Sequence, residues 1–79
     1  MKWATRLPAV SAKQVMQAIE QDGWFLSRTS GSHFIYKKEG VRNFVNVPRH
    51  GAKSLKKGTL HAIVHATGMT DERFMELLG

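Results

Sequence analysis

Two short turns divide the middle of the chain into three strands. The first turn is predicted at Ser30-Gly31, because glycine readily adopts the positive φ that a two-residue hairpin loop requires, and the second at Glu39-Gly40. Strands joined by connections this short run antiparallel. The sequence therefore predicts an antiparallel meander with strands at residues 24–28, 34–38 and 42–47, the last ended by Pro48, which cannot donate to a ladder.

The second strand does not reveal which of its sides is buried. His33, Ile35 and Lys37 share one side, and Phe34 and Tyr36 share the other. Since both sides mix apolar and polar residues, alternation alone leaves the assignment open.

The segment before the sheet has the pattern of an amphipathic helix. Ser11 and Gln14 have capping-box spacing, and Asp22-Gly23 is a typical helix end. The apolar residues between them follow helical spacing and form one stripe: Ala12, Val15, Met16 and Ile19.

Two further helices are predicted after the sheet. The first carries Leu60, Ile63, Val64 and Thr67 on one face and stops at Gly68. Thr70 is the predicted N-cap of a last short helix, whose Phe74, Leu77 and Leu78 share a side.

The order of elements is helix, three antiparallel strands, helix and short helix, and it predicts an α+β fold with one helical layer over one face of the sheet. Double-stranded-RNA-binding domains have this order, with lysines where the chain enters the second helix. The length and the lack of a linker predict a single domain over residues 1–79. Residues 1–9 are expected to be a non-helical lead-in, because Leu7 is followed by Pro8.

Positive charge is concentrated in the middle of the chain. Residues 28–57 hold eight basic residues and one acid, so this segment carries +7 while the whole chain carries +6. A phosphate backbone selects such a segment, because each neutralised phosphate releases counterions. We therefore favour contact with nucleic acid over a merely solubilising surface. The basic residues are Arg28, Lys37, Lys38, Arg42, Arg49, Lys53, Lys56 and Lys57.

Composition excludes several classes of protein. There are no cysteines, which excludes disulfides and thiolate metal sites and fits a reducing, cytoplasmic environment. The sequence shows no signal-peptide pattern and no apolar run near the roughly 18 residues of a membrane span. We expect a cytoplasmic protein with no membrane partner.

A series of short motifs resembles the HicA family, small toxin endoribonucleases of bacterial toxin-antitoxin systems. The resemblance runs from about Leu7 to Leu78 and departs at Lys57, where relatives often have proline. The matching segments, in chain order, are Leu7-Pro8-Ala9-Val10-Ser11, Asp22-Gly23-Trp24, Arg28 with Gly31-Ser32-His33, Val47-Pro48, Lys53-Ser54-Leu55-Lys56-Lys57-Gly58-Thr59-Leu60, and Gly68-Met69-Thr70 with Phe74.

The resemblance implies a function and a site. His33 corresponds to the family's catalytic histidine, which implies metal-independent cleavage of mRNA by acid/base chemistry, with no cofactor and with a HicB-like antitoxin as partner. The residues expected to bind RNA are Arg28, Lys53, Lys56 and Lys57. The second acid/base group is unassigned, with His50 and the loop lysines as candidates. The alternative is a non-catalytic RNA-binding module in which His33 only hydrogen-bonds across the hairpin.

Other residues with possible chemistry are better explained structurally. Ser32 has no partners at triad spacing, so its hydroxyl is expected to stabilise the turn. His61 and His65 have i, i+4 spacing, but the glutamate of a zinc-protease motif is replaced by Ala62, and no metal site is predicted. The aromatic residues Trp24, Phe25 and Phe34 can stack on bases, although core packing is expected for most of them.

Overall fold

The predicted α+β order is confirmed by a computed structural model, which describes residues 7–79. The first six residues of the predicted lead-in lie outside this range. The elements, in chain order, are α1 (Ala12–Gln21), β1 (Phe25–Ser30), β2 (His33–Lys37), β3 (Val45–Pro48), α2 (Lys57–Thr67) and α3 (Asp71–Leu78).

The strands form the predicted antiparallel meander, in the order β1-β2-β3. The predicted first turn is wrong by one residue. Ser30 pairs with His33, so the loop is Gly31-Ser32. Gly31 has φ +60° and Ser32 does not have positive φ, which is the pattern of a type II′ turn.

The predicted strand bounds of 24–28, 34–38 and 42–47 also differ from the observed ones at every end, and Pro48 is the last residue of β3 rather than the residue that follows it. Trp24 does not belong to β1, because its backbone N–H donates to the Ile19 carbonyl at 3.2 Å and continues the turn that ends α1. The turn at Glu39-Gly40 is present, with the Val41 N–H 3.0 Å from the Lys38 carbonyl. However, the strand does not resume until Val45, so residues 38–44 form a loop rather than a tight hairpin connection.

The structure assigns the two faces of the sheet. Tyr36 is 2% exposed and its strand partner Val45 is 1% exposed, so the helices cover the face to which these residues belong. Burial raises the pKa of the Tyr36 phenol, and its hydrogen bond to Glu20 Oε2, at 2.6 Å, raises the pKa further. The opposite face, which we call the outer face, carries His33, Ile35 and Lys37.

The helix signals are confirmed. At the start of α1, the Ser11 N–H donates to Gln14 Oε1 at 2.9 Å, and the Gln14 N–H donates to Ser11 Oγ at 3.3 Å, which completes the capping box. At the end of α2, Gly68 has the left-handed φ of +81° that glycine adopts without steric cost. The apolar stripe of α1, together with Ala18, is buried.

The short helix α3 closes the core. Thr70 Oγ1 accepts from the Arg73 N–H at 3.1 Å, as expected of an N-cap. Phe74 is fully buried, and Gln21 Nε2 of α1 donates to the Leu77 carbonyl at 2.9 Å. This contact and the buried ring attach α3 to α1.

Candidate nucleic-acid interface

His33 is the first residue of β2, directly after the type II′ turn, and its side chain is exposed on the outer face. Its Nδ1 lies 3.1 Å from Oδ1 of Asn46 on β3. Because an amide oxygen only accepts, this hydrogen bond requires a proton on Nδ1, and the neutral ring then has its lone pair on Nε2. Asn46 thus selects the tautomer in which Nε2 can accept a proton.

Sequence reasoning missed Asn46. Its side chain lies on the outer face because it pairs with Ile35, and it is therefore a diagonal neighbour of His33. The non-catalytic alternative predicted a hydrogen bond from the His33 ring across the β1-β2 hairpin. The observed partner of the ring lies on β3 instead. The alternation of Val45, Asn46 and Val47 indicates that the Asn46 side chain points away from the core. Only the pairing register of β2 and β3 shows that it lies next to His33.

A β-bulge in β1 brings Arg28 to the same face as His33. The register shifts between Leu26 and Arg28, so that Arg28 pairs with Ile35. Strict alternation from Phe25, which pairs with Lys37, would have put Arg28 on the covered face. The extra residue at the bulge turns the guanidinium toward the outer face, one diagonal step from His33.

The loop after β3 forms an open cleft of about 400 Å³. Its lining includes two of the predicted RNA-binding lysines and one candidate for the second acid/base group: Pro48, His50, Lys53, Ser54, Leu55, Lys56 and Thr59. Lys57, the first residue of α2, instead lines a smaller depression of about 140 Å³ together with Leu7 and Pro8. The structure therefore brings Lys53 and Lys56 together in one cleft and places Lys57 toward residues 7–9, which precede α1.

The cleft adjoins His33 through the backbone. Pro48, which lines the cleft, is the strand partner of His33, and the Arg49 N–H donates to the Ser32 carbonyl at 2.8 Å. At its other end, the loop is held by the Leu55 N–H, which donates to the Val10 carbonyl at 2.8 Å. The basic loop is thus fixed at both ends.

The electrostatics of this loop favour an anion. Residues 49–57 contain four lysines and arginines and no acid. Lys56 is the N-cap of α2 and gives no side-chain cap to the helix, so the positive end of the helix dipole adds to the charge of the lysines. A negatively charged backbone is the ligand that such a surface attracts most strongly.

The remaining candidates divide between core and surface. Trp24 is buried, Phe34 packs partly against the core with the Arg49 guanidinium 6.0 Å from its ring centre, and Phe25 is exposed. His61 and His65 lie on α2, and residues 7–79 hold no cluster of three or more side chains that could bind a metal ion. No helix in the described part of the chain is both long and apolar enough to cross a bilayer.

A helical layer over one face of a three-stranded antiparallel sheet, in this element order, is the arrangement of double-stranded-RNA-binding domains. The family model of the HicA toxin of bacterial toxin-antitoxin systems matches residues 12–69, and the chain belongs to this family. The comparison with curated proteins finds no match. The protein is thus the toxin of a toxin-antitoxin system, and the family implies an antitoxin as its partner.

Proposed function

We propose that this toxin is a metal-independent endoribonuclease that cleaves mRNA in the cytoplasm, with residues 1–79 as a single domain and His33 as its acid/base group. The observation that carries the proposal is the exposed imidazole, whose Nδ1 is bonded to Asn46 and whose Nε2 lone pair remains for a substrate. It lies beside Arg28 and next to the basic cleft.

The reaction needs only groups that the chain and its substrate supply. Nε2 of His33 removes the proton of a ribose 2′-hydroxyl, and the oxygen attacks the adjacent phosphorus. The new O2′–P bond forms as the P–O5′ bond breaks, and the leaving oxygen takes a proton to become a 5′-hydroxyl. The other product is a 2′,3′-cyclic phosphate. A positioned base or acid typically contributes on the order of 10²–10⁴-fold.

A second group donates the proton to the leaving oxygen, since one histidine is not base and acid in the same step. His50 lines the cleft that adjoins His33 and is the first candidate, followed by Lys53 and Lys56 of the same cleft. A water molecule is the remaining source of this proton.

Cations stabilise the charge that develops on the phosphoryl oxygens. Arg28 is placed for this role, because it shares the outer face with His33. Lys53, Lys56 and Lys57 lie further along the same end of the molecule, where they bind the flanking RNA backbone. Catalytic stabilisation and RNA affinity are therefore assigned to different cations.

The test of this function is the chemistry of the products. With purified toxin and a short RNA containing one cut site, we expect cleavage to persist in excess EDTA and to yield 2′,3′-cyclic phosphate and 5′-hydroxyl ends. A 2′-deoxy substitution on the 5′ side of the cut removes the nucleophile and should abolish cleavage. The all-ribose RNA is the control. Cleavage that stops in EDTA, or that leaves 5′-phosphate ends, contradicts the proposal.

The lysines are expected to control affinity rather than the chemical step. Replacing Lys53, Lys56 and Lys57 together with alanine should raise KM. It should also make the negative slope of log K against log salt shallower by up to about 0.7 for each lost single-strand phosphate contact. The change in kcat should be small where His50 or water protonates the leaving oxygen, whereas a large fall in kcat would assign that proton to Lys53 or Lys56. Filter binding over a salt series, with cleavage at saturating RNA, measures both quantities.

Lys13 offers a matched control, because it is an exposed lysine on α1 that does not line the cleft. Lys13→Ala should leave the salt slope unchanged. A triple variant that keeps wild-type affinity would mean that RNA does not follow the basic loop.

A further inference from the structure

The outer face of the sheet carries rows of side chains that run across the strands. Residues directly opposite each other on neighbouring antiparallel strands have Cβ atoms about 4.5–5.5 Å apart, so the side chains of one row are neighbours. The rows, in order from the hairpin turn, are Ser30-His33-Pro48, Arg28-Ile35-Asn46 and Phe25-Lys37. The proposed catalytic histidine and an exposed phenylalanine therefore lie on the same face, two rows apart.

Two exposed aromatic side chains flank Lys37. Phe25 is its partner on β1 and is 51% exposed. On the other side, Phe44 directly precedes Val45, the buried partner of Tyr36, so alternation directs the Phe44 side chain away from the core, and it is 57% exposed. The two chain segments are separated by two strand spacings, about 10 Å, so the rings do not pack on each other. Each ring remains available to a ligand.

Cations accompany these rings. Lys37 lies between them, and Arg28 lies in the next row of the same face. No aspartate or glutamate is among the residues that the register of the three strands places on this face. Glu39, the single acid of residues 28–57, lies in the turn after β2. Surfaces that bind single-stranded nucleic acid combine the same two features, cations for the backbone and aromatic rings on which bases stack.

We propose that Phe25, Lys37 and Phe44 form a stacking subsite for single-stranded RNA on the outer face. Each phenylalanine stacks on one unpaired base, and the Lys37 ammonium contacts the phosphate between the two bases. The place of these bases relative to the cut rests on the proposed function, whereas the stacking itself does not require cleavage.

The stacking subsite lies at the opposite end of β2 from the proposed cut. His33 is the first and Lys37 the last residue of this strand, so the two ends are about 13 Å apart. At roughly 3.4 Å per phosphate of a stacked strand, this distance spans at most about four nucleotides. The basic cleft lies beyond the other end of β2, beside Pro48. The RNA is therefore held on both sides of the cut, by lysines on one side and by rings on the other.

Duplex RNA and protein are less suitable occupants of the stacking subsite. The bases of a duplex are stacked and paired inside the helix, so they do not reach the rings. Exposed aromatic residues also anchor protein interfaces, but the cores of such interfaces are apolar and depleted in lysine. Here Lys37 separates the two phenylalanines, which favours a ligand with alternating bases and phosphates.

The test compares three ligands of the full-length toxin by filter binding. They are 2′-O-methyl oligoadenylate, which has no 2′-hydroxyl to attack the phosphate, an abasic strand of the same length, and a duplex of the same length. The double variant F25L/F44L keeps apolar side chains but cannot stack. It should bind oligoadenylate on the order of 10-fold or more weakly and the other two ligands with wild-type affinity.

Leu26→Ala is the matched control, because Leu26 is also an exposed apolar residue of β1 but pairs with Tyr36 on the covered face. It should bind all three ligands as wild type does. In cleavage of a single-stranded RNA with one cut site, F25L/F44L should raise KM and leave kcat close to wild type, since the rings do not touch the imidazole.

Wild-type affinity of the double variant for oligoadenylate overturns the stacking subsite. An equal loss of affinity for the abasic strand overturns it too, since stacking requires a base, as does a wild-type toxin that does not distinguish oligoadenylate from the abasic strand. Unchanged RNA binding with lost binding to the protein encoded beside the toxin gene would assign the rings to a protein interface instead. If the wild-type toxin cuts no RNA, the proposed function fails, but oligoadenylate binding still decides the subsite. Thermal melts of all variants confirm that their fold is retained.

Discussion

Replacing His33 with alanine should lower the cleavage rate at saturating RNA by on the order of 10²–10⁴-fold. Growth arrest on expression should disappear with it. The physical reason is the loss of the group that accepts the 2′-hydroxyl proton. RNA affinity and melting temperature should stay close to wild type, because the ring is exposed and contributes no core packing. Single-turnover cleavage, RNA binding and a thermal melt of the same preparation measure the three quantities.

His65 provides the matched control, since it is an exposed histidine at the far end of α2 from the basic cleft. His65→Ala should cut RNA at the wild-type rate. If His33→Ala remains as active and as toxic as wild type, the catalytic assignment is wrong. The toxin would then act as an RNA-binding module, and the triple lysine variant alone should abolish its effect.

Asn46 should behave as a positioning residue in the same assay. Asn46→Ala releases the imidazole from its orientation and tautomer, and the rate should fall by up to about 10²-fold, less than for His33→Ala. Asn46→Asp retains an oxygen that accepts from Nδ1 and should recover activity. A purely structural role for Asn46 would instead lower the melting temperature and leave the rate of the folded protein unchanged.

Much of the fold is predictable because its signals are local. The capping box of Ser11 and Gln14, the left-handed Gly68 and the N-cap Thr70 each depend on residues within one helical turn, and the structure confirms all three. The order of the elements follows from such signals. The strand bounds depend on contacts outside the strands themselves. The Trp24 N–H, for example, donates to the Ile19 carbonyl at the end of α1 and so does not take part in β1.

The arrangement of the site depends on the register of the sheet, which the sequence alone does not determine. Side chains that alternate strictly from Phe25 would put Arg28 on the covered face of the sheet. The bulge between Leu26 and Arg28 puts it on the outer face instead. The contact between His33 and Asn46 joins residues on different strands. The family resemblance identifies individual candidate residues such as Arg28 and His33. That these two residues share one face with Asn46 follows only from the pairing of β1, β2 and β3.

The ring of Phe74 is the buried anchor of α3, and Phe74→Ala should cost about 3–5 kcal/mol of unfolding free energy. Phe74 is fully buried, and α3 spans only Asp71–Leu78, too short to persist without tertiary packing. At roughly 0.05–0.15 kcal/mol per residue, a chain of 79 residues has about 4–12 kcal/mol in total. The melting temperature should therefore fall by at least about 12 °C, as measured by circular dichroism.

Phe44→Ala is the matched control for this loss, because it removes the same side chain from a position that is 57% exposed. Its unfolding free energy should stay within about 0.5 kcal/mol of wild type. The contrast separates burial from the chemistry of the ring, since both variants delete a phenyl ring. A melting temperature for Phe74→Ala within a few degrees of wild type would show that α3 does not close the core. In that case, other contacts, such as the hydrogen bond from Gln21 to the Leu77 carbonyl, would hold this helix against α1 without the ring.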